Sequence, residues 1–528
     1  MKNFLKSGGL LGLLTLALAT ATSCTKSFDE LTVNASKPNS VPADLLLNGI
    51  LNESFEEPNG QYEIWNQYYL YNYDYYGDNR YDFGSGATYY TTLKNVGLME
   101  QQALAAGQPA VNPYSALGNF FRAYLFTRMS LEMGDIPQSE ALKGLEALTP
   151  VYDPQQDVFK QSFAWLEQSN ADLGALIAGG SPAVGGDIYF NGDLKQWQKA
   201  VNTLRVRLLI TLSKRAGDAS LNVPGQFAAI VNNPTKYPLM SSAADNMQYK
   251  YVDPTNLYPN NNRNFGQEGS RKNMSATYVG LLTQLHDPRV FVTCEPARDL
   301  VDNKKQSTTD FASFVGADAG LDLGVMYNNA GLQYYSFLNR KRYFSTLVGE
   351  PSIQIGYPEL CFNIAEGVNR GWAPGSAETY YKNGIQASMA FYGIPASGTL
   401  TAAFYRPGST DVANSQNYDT YAVPVDFVAY YAQPTVQYAA GAQGLIQVLQ
   451  QKYLALFRHS GLETYYNYRR TGVPTFTTGP GTGNSGRIAL RFQYPNSERT
   501  ANTENYKKAL DRQFGGNDDI NGVIAVLK

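Results

Sequence analysis

The sequence predicts a mostly α protein, and three observations carry that expectation. Five segments repeat apolar residues every three and four positions, the period of a helix with one buried face. The stretches between them, notably 62–92, 251–272, 301–352 and 394–441, are long aromatic and Asn/Gly-rich connections, a length uncommon inside a compact body unless the loops are functional. No Pro/Ser-rich or charged linker divides the chain. Residues 43–528 therefore read as a single domain, although 528 residues would ordinarily make several.

At the start, Lys2 and Lys6 precede an apolar run at residues 10–21, and Ala21-Thr22-Ser23-Cys24 follows. Basic, apolar and small residues in that order make a secretion signal, and the run is shorter than the roughly 20 residues that cross a bilayer. Small residues before a cysteine resemble the lipobox of bacterial lipoproteins. Residues 1–23 thus read as a signal peptide, Cys24 as the acylated first residue of the mature chain, and 24–42 as a tether. Cleavage there removes two lysines and takes the formal charge from −3 to −5, which leaves no basic field for nucleic acid.

The first helical segment is SALGNFFRAYLFTRMSLEMG, residues 115–134, with Gly134 and Pro137 ending it. In QKAVNTLRVRLLITLSKRAG, residues 198–217, Val201, Leu204, Leu208, Leu212 and Ala216 form one stripe, and Arg205 and Arg207 are free to face acidic loops. Residues 357–371 place Leu360, Ile364 and Val368 on a stripe. Residues 376–393 begin at a Ser376 cap, carry Tyr381, Ile385, Met389 and Tyr392 on one face and stop at Gly393. Residues 444–461 align Leu445, Leu449, Tyr453 and Leu456.

No catalytic apparatus emerges from these residues. There are two histidines, and neither has a metal-ligand partner at helical spacing or a nucleophile motif nearby; both read as structural, His459 at a helix end whose carbonyls favour a cation. With Cys24 acylated, Cys294 and Cys361 remain, too far apart in sequence for a framework or zinc site, and read as free and buried. Gly481, Gly483 and Gly486 satisfy G-x-G-x-x-G without the strand-to-helix context of a nucleotide cradle. Glu350, Glu359 and Glu366 are imaginable as the carboxylates of a glycosidase, but packing accounts for the helical pair. No cofactor or metal is expected.

The chemistry concentrates in three loops. YNYDYYGDNRY, residues 71–81, holds five tyrosines around the turn Gly77-Asp78-Asn79. A tyrosine ring offers an apolar face to the C–H face of a sugar, while its hydroxyl and nearby Asn, Asp and Arg groups bond sugar hydroxyls. Tyr75, Tyr76, Asn79, Arg80 and Tyr81 are the candidates here, with Tyr76 and Tyr81 presented from the two arms of the turn. NLYPNNNRNFG adds Tyr258, Asn260, Asn261 and Arg263, and YNNAGLQYYSF adds Tyr327, Asn328, Tyr334 and Tyr335. The rival reading is that these residues pack the underside of their loops or meet a protein partner, since tyrosine is enriched at interfaces too.

The order of motifs resembles the SusD/RagB family of outer-membrane lipoproteins of Bacteroidetes, in its SusD-like branch, over essentially the whole chain. GDIPQSEAL followed by PVYDPQQDVF, then DLKQWQKAVNTLRVRLLITLS, HDPRV, YPELCFNIAEGVNRGW, QKYLALF, YYNYRRTGVP and GRIALRFQYPNSE stand in family order. The resemblance implies a SusD-like fold: four tetratricopeptide-like helix pairs plus a loop-rich remainder. It further implies a non-enzymatic lipoprotein on the outer membrane that captures glycans and hands them to a SusC-like TonB-dependent transporter. Asp29 and Glu30, behind Cys24, resemble the acidic surface-export signals of this phylum. The alternatives are a peptide binder in the same kind of complex and a secreted glycosidase.

Overall fold

A computed structural model describes residues 40–528, so the signal, Cys24, Asp29 and Glu30 lie outside the described residues. The principal helices are α1 (Ala43–Ser54), α2 (Tyr90–Ala105), α3 (Pro113–Met133), α4 (Gln155–Ala178), α5 (Leu194–Thr211), α6 (Val223–Val231), α7 (Ala276–Gln284) and α8 (Leu323–Gly331). They continue with α9 (Tyr357–Asn369), α10 (Ala377–Phe391), α11 (Ala442–Ala455), α12 (Glu463–Thr471) and α13 (Thr503–Phe514). From α1 to α6 each helix packs on the next, and α5 then carries α9, on which α10 and α11 pack. Residues Ala43–Lys528 form one compact unit.

Local chemistry sets the helix ends. Asn112 caps α3 by accepting from Ser115 N at 3.0 Å, Pro113 takes the first turn where no N–H is needed, and the helix closes at Gly134. Asp193 caps α5 and Ser376 caps α10, accepting from Lys195 N at 2.8 Å and from Thr379 N at 3.2 Å. All five helical segments read from periodicity are helices. Arg205 and Arg207 face helices rather than acidic loops: Arg205 pairs with Glu167 of α4, and Arg207 with Glu359 of α9. At these positions a packed neighbouring helix supplies the counter-charge.

Strands are few and short: β1 (Tyr69–Tyr71), β2 (Met247–Tyr249), β3 (Lys272–Met274), β4 (Ser352–Ile355), β5 (Ser397–Tyr405) and β6 (Tyr418–Asp426). They pair antiparallel as β1 with β3, β2 with β4, and β5 with β6. The last pair corrects the expectation of an irregular connection over 394–441, because that stretch is mostly a hairpin running from Ser397↔Asp426 to Tyr405↔Tyr418. Likewise 301–352 contains α8.

Much of the aromatic excess is core. Tyr68 stacks on Tyr453 at 4.8 Å between centroids, Tyr278 on Phe457 at 4.3 Å, Phe83 on Phe492 at 4.2 Å and Tyr468 on Phe476 at 4.1 Å. Buried hydroxyls find acceptors, as Tyr68 does at Tyr453 O (2.9 Å) and Tyr465 at Ala489 O (2.6 Å). Cys294 and Cys361 are free and buried, and burial pushes both thiols up to about 12.

Candidate functional site

The β1–β3 pair builds the base of the site. Tyr69 and Leu70 are buried, and Tyr71 sits opposite Lys272. Beyond β1 the chain is still held by β3's approach: Asn72 N donates to Arg271 O at 3.0 Å, and Asn72 Nδ2 to Ser270 O at 2.7 Å. A turn follows, closed by Tyr76 N donating to Tyr73 O at 3.1 Å. Gly77 sits at φ 154°, where a Cβ would be strained and would come 2.5 Å from the Tyr71 ring, so any other residue would have to displace that ring. The return is clasped by Asn79, whose side chain accepts from Tyr71 N and donates to Tyr71 O, both at 2.9 Å. Tyr81 then locks the chain into the body, its N–H donating to Thr482 O at 2.8 Å and its hydroxyl to Trp65 O at 2.8 Å.

The projecting turn carries exposed rings. Tyr75 is 82% exposed, Tyr73 41% and Tyr76 37%. Tyr76 meets Tyr73 edge-on at 5.7 Å and Tyr75 at 5.4 Å, and the Arg271 guanidinium lies 4.0 Å from the Tyr76 ring centre. From a distant segment, Tyr327 on α8, 52% exposed, comes to 5.0 Å from Tyr73. Helix α8 is started by Asp322, which accepts from Gly324 N at 2.9 Å. Two of the three tyrosine loops therefore meet in one exposed aromatic ridge.

The remaining expected residues divide by burial. Arg80, Arg263, Asn328 and Tyr334 are exposed, Arg80 paired with Asp82 and Tyr334 near Lys304. Asn79, Tyr81, Tyr258, Asn260, Asn261 and Tyr335 are buried, which corrects the expectation that they face a ligand at the surface. Their polar groups are spent on the protein itself. Tyr258 Oη and Asn260 Oδ1 accept from Arg458 Nε at 2.9 Å and Nη2 at 2.6 Å, Asn261 Nδ2 donates to Tyr258 O at 2.7 Å, and Tyr335 Oη accepts from Asn329 Nδ2 at 2.8 Å. The 258–261 segment is thus a plug over a buried arginine. Sequence reasoning missed Arg271 as a ridge residue. Nothing in the sequence announces it; only the β1–β3 register brings it beside Tyr76.

A cavity of about 430 Å³ adjoins the ridge, lined by Phe265, Phe337, Tyr405, Arg298, Arg340 and Arg406. Its wall includes Ser270, whose carbonyl Asn72 holds, and Gln333, the residue before Tyr334. A second cavity of about 470 Å³ lies beside the hairpin and is mainly apolar, lined by Phe291, Phe311, Ile394, Val423 and Val425 with His286 at its edge.

The three glutamates considered for hydrolysis are each buried in an ion pair: Glu350 with Arg342 at 2.6 Å, Glu359 with Arg207, and Glu366 with Arg470 and Arg370. Among the described residues, no three His, Cys, Asp or Glu side chains are grouped to hold a metal, and no helix is long and apolar enough to cross a membrane.

Residues 36–495 match a SusD-like family model described as starch-binding and associating with the outer membrane. The chain belongs to the SusD-like family. Its mostly helical architecture is the SusD-like fold, and SusD-like proteins are binding proteins associated with the outer membrane. A SusD homologue from Bacteroides fragilis NCTC 9343 is 29% identical with a TM-score of 0.79, the match covering 92% of this chain and 100% of that one. A second SusD homologue from the same strain is 30% identical, with a TM-score of 0.76 over 93% and 100% of the two chains. A chitin-binding SusD homologue from Flavobacterium johnsoniae, 21% identical, shares the fold with a TM-score of 0.66 over 92% and 97%. No curated protein sequence matches the chain.

Proposed function

We propose that this SusD-like protein is a lipid-anchored cell-surface receptor that captures glycans on the Tyr73/Tyr75/Tyr76/Tyr327 ridge and delivers them, without catalysis, to a SusC-like TonB-dependent transporter. The observation that carries the reading is the convergence of exposed rings from 73–76 and α8, with Arg271 on Tyr76. Exposed rings in a contiguous group mark ligand or partner surfaces, and Asp74, Asp78, Arg80 and Asn328 supply the polar rim that sugar hydroxyls need. The carboxylates considered for hydrolysis are engaged in buried ion pairs, which favours binding over cleavage.

The test is a binding screen of the mature protein against neutral and acidic oligosaccharides, chitin oligosaccharides included because a relative binds chitin, and against peptides. With a bound oligosaccharide in hand, Tyr76→Ala or Tyr327→Ala should each weaken binding by about 1 kcal/mol, roughly fivefold. The double variant should lose more, and neither should lower the melting temperature noticeably. Tyr81→Ala is the contrasting control, because truncating a buried aromatic costs roughly 3 to 5 kcal/mol of stability. Binding of peptides alone, or full affinity in the double variant, would sink the reading.

A further inference from the structure

The cavity beside the ridge holds Arg340, a half-buried arginine that, like Arg458 and Arg469 with their neutral oxygen acceptors, lacks the carboxylate that most enclosed arginines of this chain have. Arg128, Arg207, Arg289 and Arg342 are each paired with a carboxylate, namely Glu56, Glu359, Asp287 and Glu350. Burial works against all four guanidiniums, yet these partners hold each above its ordinary pKa. Arg340 has no such partner among the described residues. Its Nη2 donates to a neutral acceptor, Gly269 O, at 3.1 Å, and its guanidinium lies 4.7 Å from the Phe337 ring centre. The closest counter-charge, Glu295, is itself buried and accepts instead from backbone N–H groups, Arg340 N at 2.9 Å and Tyr405 N at 3.1 Å. Burial therefore leaves Arg340 below its ordinary value, a cation with unspent donors and too little negative charge around it.

Two further guanidiniums face the same space. Arg298 donates to Tyr405 O and has Glu295 at 4.0 Å and the exposed Asp302 at 3.9 Å, while Arg406 is exposed and bound to Asp419. With Asp419 holding Arg406, three guanidiniums stand against three carboxylates, and Arg340 is the one of the three without a salt bridge. Its volume lies within the roughly 300 to 1,000 Å³ usual for small-molecule sites. The cavity is also joined to the ridge. Ser270, in its wall, accepts from Asn72, the neighbour of Tyr73, and precedes Arg271, which lies on Tyr76.

Resting on the glycan-capture reading above, we infer that this cavity is the subsite for the acidic group of a charged oligosaccharide, a carboxylate or sulfate bound by Arg340 with Arg298 and Arg406 beside it, while a neighbouring sugar ring lies on the tyrosine ridge. Guanidinium is suited to this because its planar fork meets carboxylate or sulfate oxygens two at a time. Phe265, Phe337 and Tyr405 supply apolar walls for the ring that carries the charge.

The mature protein would be titrated with oligogalacturonate, alginate and chondroitin sulfate fragments, each beside its methyl-esterified form, which for chondroitin sulfate is also desulfated so that no charge remains, and with neutral chitin and starch oligosaccharides. At least one acidic probe should bind, its neutralised form about tenfold or more weaker, as expected for loss of a charged hydrogen bond. Arg340→Met should remove that difference while leaving Tyr76-dependent binding of neutral sugar intact. Arg406→Gln, at an exposed position, should weaken the acidic probe with folding unaffected, and binding of that probe by the wild-type protein should fall with added salt. Equal binding of acidic and neutralised forms, or binding of neutral sugars only, overturns the acidic subsite and leaves glycan capture standing. Binding of no oligosaccharide, or of acidic peptides alone, overturns both.

Discussion

His459 is a histidine kept uncharged by its surroundings. Its ring is buried edge-on to Phe391, Nδ1 accepts weakly from Ile353 N at 3.4 Å, and Nε2 has no partner. Burial is the main cause that lowers its pKa to about 4, with Arg342 and Arg458 adding to the fall and Glu350 opposing it. This corrects the expectation of a cation at the helix end, since desolvation outweighs the terminal carbonyls. The unfolded chain takes up this proton near pH 6.5, whereas the folded chain does so only near 4. The stability in question is therefore complete above 6.5 and lost as pH falls towards 4, by roughly 3 kcal/mol. Denaturant unfolding across that window should show the decline, and His459→Gln should flatten it; an unchanged slope in the variant would refute the assignment. At this scale the sequence was only half legible. Tyr76 and Tyr81 are the same residue type five positions apart, yet one is on the ridge and the other is 1% exposed, because Asn79 and Thr482 turn the chain inward between them.

Among the elements, α5, α9, α11 and α12 are fastened by buried charge. Arg207 of α5 holds Glu359 of α9, Glu366 of α9 holds Arg470 of α12, and Lys452 of α11 reaches Asn363 of α9 at 2.7 Å and Asn467 of α12 at 3.0 Å. Burial works against the Glu366 carboxylate, but Arg470 and Arg370 override it and hold its pKa down to about 2. Glu366→Gln leaves both arginines short of a counter-charge and should cost about 3 to 5 kcal/mol. In a double-mutant cycle, Arg470→Met should then cost much less in that background than alone. Additive losses would show that the pair is not coupled. Helices with an uninterrupted apolar stripe were legible from spacing. Helix α4 was not, because Ser162, Ser169 and Asn170 occupy its buried face, with Ser169 Oγ donating to Ala116 O at 2.8 Å and Asn170 accepting from Asn202 at 2.8 Å. The β5–β6 hairpin hid behind a long connection at 406–417 and a proline, Pro424, opposite Thr399, where a sequence reader expects neither.

For the whole molecule, function depends on place. A receptor tethered over a channel raises the effective concentration of captured ligand there without any new contact. Mature protein labelled with palmitate should lose the label in Cys24→Ala, and the wild type should co-purify from solubilised outer membranes with a TonB-dependent transporter; persistent label, or monomer alone after crosslinking, would count against the anchor and the partner respectively. Association with the outer membrane was legible from motif order, whereas the meeting of Tyr73 with Tyr327 was not, because their separation in sequence carries no trace of their adjacency. The Asn79 clasp works as a drawstring. By satisfying both backbone groups of Tyr71, one amide closes the turn at its root, while Gly77 against the Tyr71 ring and Arg271 on Tyr76 hold its interior to the strand pair, so Tyr75, the most exposed ring at the tip, is the place where a new side chain disturbs the scaffold least.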